Sequence, residues 1–252
     1  MHKIFAKTLF LGKSVVYLPH CHSTNDVART LDKSGTLKEG TVVMTDYQEK
    51  GKGQQGNVWV SEDGKNLLFT LILKPETWPA TRQFYLNALI SLALLKTVRS
   101  FLKDAKVEIK WPNDIYTNDR KLAGILIETT IKGADLESVY CGIGLNINQL
   151  HFSLPTATSM QLIAGHSFDR DDVLQQFLLT LEQDYPLQEA KRSALFTQYQ
   201  QQLRWRNEPH TFHMNNVEKR GAIQGVDEAG RLVILTEEGL QTFGMKEIRF
   251  LY

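Results

Sequence analysis

A glycine-rich stretch between two strand-like runs most limits how this chain can fold. Residues 51–59 read Gly-Lys-Gly-Gln-Gln-Gly-Asn-Val-Trp. The run at 41–47 before them and the run at 66–73 after them both have the apolar and β-branched composition of strands. A phosphate-binding P-loop or a dinucleotide fingerprint would place a helix directly after the last glycine. Because a strand follows instead, the pattern excludes both classes and predicts a glycine-rich loop between two strands.

The composition of this loop suits an anion. Its three glycines allow the backbone to approach a ligand closely. Lys50 and Lys52 add two ammonium groups to the backbone amides, and together these donors suit a carboxylate or a phosphate. A plain glycine-rich hairpin would have the same sequence, so the loop alone does not decide between a turn and a binding site.

The overall composition is that of an ordinary soluble protein. The 252 residues are 42% hydrophobic and 23% charged, and the net charge of +1 argues against an extended nucleic-acid footprint. The most apolar segment, Ala88–Leu95, is much shorter than the ~18 residues of a membrane span, and the N-terminus shows no secretion signal. Cys21 and Cys141 fit no metal or redox spacing. We expect a cytoplasmic protein that binds neither DNA nor a membrane.

The hydrophobic pattern predicts strands and helices along the whole chain. A short strand at 15–18 is expected to stop at Pro19, and a helix is expected from about Asp26 to Leu31. Apolar residues at helical spacing predict the longest helix over roughly 81–102. The further predicted strands are 107–110, 115–116, 121–128 and 138–148, and the further helices are 171–184 and 189–201. The expected fold class is α+β.

The last part of the chain has a different pattern. From about Arg204 short strands alternate with turns, which predicts a small β-barrel or sandwich at 204–252 after a larger domain at 1–203. Some fifty residues are marginal for independent stability, so this part is expected to pack on the main domain. Gly142 and Gly144 lie inside a predicted strand, and interior glycines often mark the close approach of a ligand or another backbone.

Several motifs stand in a fixed order along the chain. They are Ser23-Thr24-Asn25, the loop at 51–59, Lys110-Trp111-Pro112-Asn113-Asp114, Lys121-Leu122-Ala123-Gly124 and Gly142-Ile143-Gly144-Leu145-Asn146. Each motif alone is weak, but the ordered set resembles the biotin–protein ligases (biotin–[acetyl-CoA-carboxylase] ligases) over roughly residues 15–150. The resemblance implies a mixed or antiparallel sheet with helices, in a catalytic domain like those of class II aminoacyl-tRNA synthetases and biotin synthetases. A small C-terminal β-barrel is also expected for this family.

The resemblance implies an activity as well. Such ligases join biotin to ATP, which gives biotinyl-5′-AMP and pyrophosphate, and then pass biotin to a lysine of a biotin carboxyl carrier domain. ATP with Mg²⁺ is thus the implied co-substrate and biotin the substrate, without a tightly bound prosthetic group. The site must bring two anions together and keep a reactive anhydride away from water. The exposed sheet edges of this fold also permit a homodimer.

The resemblance assigns roles to individual residues. The implied biotin contacts are Ser23, Thr24, Asn25, Gln48, Gly51, Lys52, Gly53, Gln54, Lys121, Gly124 and Gly142. The implied ATP and adenylate contacts are Gln54, Trp59, Asn113, Asp114 and Asn146. Lys121, Lys52 and Lys110 are implied to be catalytic. Lys121 is the strongest candidate because its ammonium group could bind both the carboxylate and the α-phosphate. No metal site made of side chains is expected.

Ordinary structural roles explain several of the same residues. The segment Ser23–Asn25 supplies side chains that suit a helix cap, and at least one of them is expected to serve as one. Asp114 suits a turn, and Trp59 could equally be a core tryptophan. The sequence His20-Cys21-His22 suggests a metal site, but no further cluster of cysteine or histidine completes a tetrahedral set.

The chain departs from the family pattern in the glycine loop. That loop usually reads Gly-Arg-Gly-Arg-X-Gly-Arg, and Lys52, Gln54 and Asn57 stand here at the arginine positions. Lysine keeps a charge but loses the bidentate fork of arginine, and glutamine carries no charge. We therefore expect this chain to retain its adenylate less tightly than a ligase with all the arginines.

Three other readings concern the protein as a whole. Only 22 residues precede Ser23, which is too few for a helix-turn-helix domain, so a repressor role is not expected. A lipoate–protein ligase shares the fold type, but its usual Arg-Arg and triple-glycine run is absent here. A non-catalytic adaptor that binds biotin or the carrier is the third reading, and only Lys52 and Gln54 favour it.

Overall fold

A computed structural model describes residues 7–185, 189–215 and 217–251 of the chain. Features predicted for residues 1–6 lie outside these ranges. The described residues form a larger mixed sheet with helices, followed by a smaller antiparallel sheet. The predicted α+β class is therefore confirmed.

The larger sheet has seven strands. They are β1 (Val15–Cys21), β2 (Val42–Gln48), β3 (Leu67–Leu73), β4 (Val107–Lys110), β5 (Asp114–Thr117), β6 (Arg120–Lys132) and β7 (Asp135–Leu145). They lie in the order β1-β2-β3-β7-β6-β5-β4, and all neighbours are antiparallel except β1 and β2. Helix α1 (Thr24–Lys33) connects that pair, because parallel strands require a crossover.

Strand β1 continues through Pro19, so the prediction that it stops there is wrong. Leu18 pairs with Thr45 and His20 pairs with Tyr47, so the ladder continues on both sides of the proline. The strand lies at the edge of the sheet, which is where a residue without an N–H group is tolerated.

Helices cover both faces of the larger sheet. The later helices are α2 (Gln83–Phe101), α3 (Met160–Ala164), α4 (Arg170–Asp184) and α5 (Glu189–Gln201). Helix α2 is buried along most of its length and packs against α4 and α5, in agreement with the core role that its apolar residues predict. Helix α1 covers the opposite face, where Ala28 packs with Val43, Ile72 and Tyr140. In the described ranges, no helix is both long and apolar enough to cross a membrane.

The face under α1 is also the face that holds the candidate site. Side chains alternate between the two faces of a strand, so Thr70 shares a face with Ile72, and Gly142 and Gly144 share a face with Tyr140. Gly124 pairs with Gly144 on the neighbouring strand and lies on the same face. Small residues therefore make room on this face for other groups beside α1.

The smaller sheet has five antiparallel strands. They are β8 (Pro209–Met214), β9 (Val217–Val226), β10 (Leu232–Thr236), β11 (Gly239–Phe243) and β12 (Ile248–Phe250). The order is β11-β10-β9-β8-β12. No ladder joins β11 to β12 in the part of the chain that the structure describes, so the predicted barrel is open between these two strands.

The smaller sheet packs against the main domain, as predicted from its size. The Ile109 N–H donates to Gln202 O at 2.8 Å, and the Arg204 N–H donates to Ile109 O at 2.8 Å. Trp111 Nε1 donates to Gly230 O in the β9–β10 turn at 2.9 Å. Buried residues of the two sheets form one apolar cluster, and the division at 203/204 remains a prediction.

Candidate active site

A cavity of about 430 Å³ lies on the α1 face of the larger sheet. Its walls come from the start of α1, the glycine loop at 51–59, strands β6 and β7, the Lys110–Asp114 segment and the end of the smaller sheet. Segments from α1, the glycine loop and both sheets therefore meet around one space.

One end of the cavity is lined by polar side chains that are uncharged apart from Lys52. Gln48 Oε1 accepts from the Thr24 N–H at 2.8 Å and from Thr24 Oγ1 at 3.2 Å. Thr70 Oγ1 lies 2.8 Å from Thr24 Oγ1 and 2.6 Å from Asn25 Oδ1. Ser23 is at the N-cap position of α1 but makes no side-chain capping bond. The predicted cap is thus wrong, because Thr24 and Asn25 already lie inside the helix and bond across to the sheet.

Two glycines make room for the side chains that shape this end. A Cβ atom at Gly142 would lie 2.5 Å from Asn25 Oδ1, and one at Gly144 would lie 2.5 Å from Trp59 Cε2. Both separations are far below van der Waals contact. The glycines inside β7 therefore do mark close approach, as the sequence suggests, and the groups that approach them in this structure are side chains.

The glycine loop is a small hairpin that forms one wall of the cavity. Lys52 and Val58 form an antiparallel bridge, the Gly53 N–H donates to Asn57 O at 2.7 Å, and residues 54–56 make a turn of 3₁₀ helix. Gly56 has a φ of +82°, a conformation that favours glycine. The hairpin reading of this loop is therefore confirmed, and its role as an anion-binding site remains a prediction.

The other end of the cavity is cationic. Lys121 Nζ lies 2.8 Å from Asp114 Oδ2 and 5.7 Å from the centroid of the Trp59 ring. Lys52 also lines the cavity, but it lies by the start of α1, where it forms an ion pair with Asp26. The side chain of Lys121 is about one-third exposed and lines the cavity, so a ligand there can contact it.

Two further cations at this end belong to the junction between the sheets. Lys110 Nζ lies 5.2 Å from the Tyr116 ring centroid and 5.1 Å from that of Phe250. Arg249 lines the same wall, with one guanidinium nitrogen 3.5 Å from His213 Nδ1. Among the described residues that line the cavity, four are cations and Asp114 is the one carboxylate. The site therefore favours anions.

Most of the residues that the family resemblance assigns to the site line this cavity. Those on its wall are Ser23, Thr24, Asn25, Gln48, Lys52, Gly53, Gln54, Trp59, Lys110, Asp114, Lys121, Gly124 and Gly142. The other three lie behind the wall, and the ligand contacts of all these residues remain predictions. Gly51 packs under the Trp59 backbone, Asn113 bonds to Gln54, and Asn146 donates to Thr158 O.

Four wall residues come from the smaller sheet and were missed by sequence reasoning. They are Met245, Ile248, Arg249 and Phe250. They lie about a hundred residues beyond the last motif, and no local pattern sets them apart from other short-strand residues. Their position follows from the packing of the two sheets, and Trp111 contributes to that packing.

The residues of the cavity do not fit a metal site made of side chains. In the ranges that the structure covers, no group of three or more His, Cys, Asp and Glu is placed to hold a metal ion. His20 pairs with Asp63 at 3.4 Å and His22 with Glu49 at 2.9 Å, both on the surface. The carboxylate of Asp114 is already paired with Lys121.

Comparison with known proteins places the chain in a family. Residues 17–146, just over half of the chain, match the model of the "Biotin/lipoate A/B protein ligase family". The chain is 31% identical over 252 aligned residues to the bifunctional ligase/repressor BirA of Bacillus spizizenii, covering 93% of this chain and 73% of that protein. This chain belongs to the biotin–protein ligase family.

Two further relatives match this family member over nearly their whole length. The biotin–[acetyl-CoA-carboxylase] ligase of Paracoccus denitrificans is 28% identical, with 92% of this chain and 99% of that protein covered. The structure of the biotin protein ligase from Aquifex aeolicus in complex with biotin and ATP has a TM-score of 0.78 and 25% identity. That comparison covers 95% of this chain and 100% of the other. Both sheets of the present fold therefore have counterparts in the family.

Proposed function

We propose that this chain activates biotin with ATP as biotinyl-5′-AMP and transfers the biotinyl group to a lysine of a biotin carboxyl carrier domain. The observation that carries the proposal is the division of the cavity into two ends. Thr24 and Asn25 supply uncharged hydrogen-bonding groups that suit a ureido ring. Lys110 and Lys121 supply cations that suit a carboxylate and phosphates.

The relatives support this choice of substrates. One similar protein is named a biotin–[acetyl-CoA-carboxylase] ligase, and one similar structure contains biotin and ATP. The matching family model includes lipoate ligases as well as biotin ligases. Lipoate is therefore the comparison substrate that an assay must include.

The first step joins two anions. A carboxylate oxygen of biotin attacks the α-phosphorus of ATP, the new C–O–P link forms, the bond between the α- and β-phosphates breaks, and pyrophosphate leaves. At 4 Å and an effective dielectric constant of about 20, two unit charges interact by about 4 kcal/mol. Lys121 and Lys110 can offset repulsion of this size because both line the cationic end. Mg²⁺ would come with the nucleotide phosphates, as is usual for this ion.

The second step consumes the anhydride. A neutral lysine amine attacks the biotinyl carbonyl carbon, a C–N bond forms, the C–O bond to AMP breaks, and the amine nitrogen gives up one proton. Until the amine arrives, the anhydride must be kept from water. Trp59 serves this purpose, since its indole ring lies against Gly124 and Gly144 beside the cationic end.

Removal of the Lys121 ammonium group tests the proposal. Lys121→Ala is expected to lower biotin-dependent pyrophosphate release and carrier labelling by roughly 10²–10³-fold, the usual cost of losing one charge-stabilising donor. Lys96→Ala is the matched control, because Lys96 is also paired with a carboxylate, at 2.9 Å from Asp184, but does not line the cavity.

The same assay separates the competing functions. The purified protein is given ATP-Mg²⁺, an apo carrier domain and either biotin or lipoate. Pyrophosphate release with lipoate alone would contradict the choice of substrate. Biotin binding without pyrophosphate release would indicate an adaptor that does not catalyse ligation.

A further inference from the structure

A second cavity, of about 530 Å³, adjoins the ligand cavity. The two share Gln54, Trp111, Pro112, Leu126 and Met245 as wall residues. A single layer of side chains therefore separates the space that suits biotin and the nucleotide from this second space.

The shared wall is apolar apart from Gln54, and a chain of amides leads from Gln54 along the second cavity. Gln54 Nε2 donates to Asn113 Oδ1 at 2.6 Å, and Asn113 Nδ2 donates to Asn87 Oδ1 at 2.8 Å. Asn87 Nδ2 then donates to Pro112 O at 2.9 Å. Asn87 and Asn113 line only the second cavity, whereas Gln54 lines both. These amides carry hydrogen-bond donors and acceptors but no charge.

The two cavities differ in the chemistry that they offer. The first has four cations and one carboxylate on its wall. On the described wall of the second, Arg231 is the single charged residue, and its guanidinium is bonded to Asp227 at 2.7 Å. The rest is polar and neutral, or apolar as at Phe84 and Ile127. Such a wall suits a peptide segment, whose backbone seeks amides and whose side chains seek apolar contact, better than it suits a phosphate.

The rim of the second cavity is accessible to a macromolecule. Thr81, before α2, and Ala229, in the β9–β10 turn, are both exposed. Met245, in the β11–β12 connection, is half exposed. Both sheets thus contribute to a rim whose groups a second protein can contact.

We propose that this second cavity seats the segment of the carrier domain that bears the acceptor lysine. The lysine side chain then reaches the ligand cavity past Gln54 and Leu126, which line both cavities. This inference rests on the proposed function. The apolar stem of a lysine can lie along Leu126 and Met245 of the shared wall, while its N–H groups meet the amide oxygen of Gln54.

The transfer to the lysine takes place where the two cavities adjoin. The lysine enters as the neutral amine after giving one proton to solvent. Its nitrogen attacks the biotinyl carbonyl carbon, the C–N bond forms, and the C–O bond to the AMP phosphate breaks. AMP departs on the nucleotide side, and the second proton of the amine is released to solvent.

Filling the second cavity tests this inference. Thr81→Trp places a large ring at the rim and is expected to raise the KM for the apo carrier about tenfold or more. Biotin-dependent ATP–pyrophosphate exchange, measured without carrier, is expected to stay within about twofold of wild type. Thr197→Trp is the control, since Thr197 is exposed on α5 and lines neither cavity.

The outcomes separate this inference from the proposed function. Absence of exchange in the wild-type protein would contradict the proposed function itself. An unchanged carrier KM in Thr81→Trp, with exchange intact, would contradict the docking site alone. Loss of exchange in the folded variant would mean that the second cavity serves the nucleotide, which also overturns the inference.

A measurement on the wild-type protein does not depend on how the variant folds. Hydrogen–deuterium exchange of the biotin- and ATP-loaded protein is followed with and without an apo carrier whose acceptor lysine is changed to arginine. We expect the carrier to slow exchange of backbone amides in 80–87 and 229–231. Protection confined to other surfaces would overturn the inference.

Discussion

Gln54 shows what one uncharged side chain can and cannot provide in this site. It lies at the tip of the glycine hairpin, lines both cavities and bonds to Asn113 at 2.6 Å. The amide therefore fixes the position of the loop tip. It supplies no charge to an adenylate phosphate, whereas the arginine usual in the family would supply a cation with a bidentate fork.

Gln54→Arg is expected to slow the release of biotinyl-AMP by roughly tenfold. A hydrogen bond to a charged group contributes about 1.5–3 kcal/mol, and 1.4 kcal/mol corresponds to a factor of ten. Release is followed by trapping free adenylate from a pre-loaded protein. Gln198→Arg adds the same charge on exposed α5 and serves as the control. Equal release from wild type and Gln54→Arg would show that the loop charge does not hold the intermediate.

At the scale of elements, one carboxylate fastens the segment before β1 to helix α4. Glu182 accepts hydrogen bonds from the N–H groups of Leu9, Phe10 and Leu11, the last two at 2.9 and 3.0 Å. Partial burial acts to raise the pKa of Glu182. The three N–H donors, helped by Lys13, outweigh it and hold the pKa below its ordinary value.

Glu182 is expected to make the free energy of unfolding depend on pH in the acidic range. Its pKa is lower in the folded than in the unfolded chain, so its contribution is complete above about pH 4.5 and is lost as the pH falls through the folded value. Glu182→Gln is expected to lower the free energy of unfolding by about 1–3 kcal/mol at neutral pH. The difference from wild type should shrink in acid, as measured by denaturant titration at several pH values.

The control for this prediction is Glu237→Gln, at an exposed position in the β10–β11 turn. It is expected to leave stability nearly unchanged at every pH, as is usual for surface substitutions. A Glu182→Gln difference that stayed constant down to strongly acidic pH would contradict a role for the charged carboxylate.

The elements of this fold could be predicted from sequence wherever their signal is local. Helix α2 and strands β4 to β7 follow from apolar periodicity and turn residues. Two predictions, that Pro19 ends β1 and that Ser23 caps α1, were wrong because tertiary contacts decide the roles of both residues. The proline lies on an edge strand, and the helix that Ser23 precedes already contains Thr24 and Asn25. The ordered motifs identified most of the cavity wall, but Arg249 and Phe250 reach it only through packing between the sheets.

At the scale of the whole molecule, a buried arginine ties the segment that leads into the smaller sheet to the larger sheet. Arg204 is 3% exposed and lies 2.7 Å from Asp119 and 3.7 Å from Glu108. Its guanidinium also lies 4.6 Å from the ring centroid of Trp205. Since apolar residues of both sheets form one cluster, the two parts are expected to unfold together.

Arg204→Ala is expected to destabilise the whole protein by about 3 kcal/mol, because it leaves Glu108 largely buried with less compensation. For a chain of this size the midpoint of thermal unfolding should fall by roughly 6–12 °C in a single transition. Calorimetry measures both quantities. Arg220→Ala, at an exposed position on β9, is the control. Two separate transitions in the wild type would contradict the coupling of the sheets.

The indole of Trp59 covers a part of the sheet surface that a ligand of the cavity could otherwise contact. The indole lies against Gly124 and Gly144, and its buried Nε1 has no hydrogen-bond partner among the described residues. A ligand that needs this surface must displace the ring, so its apparent affinity falls in proportion to the fraction of molecules whose surface is uncovered. A looser hairpin would then let the ligand enter more easily and would shield the anhydride from water less well.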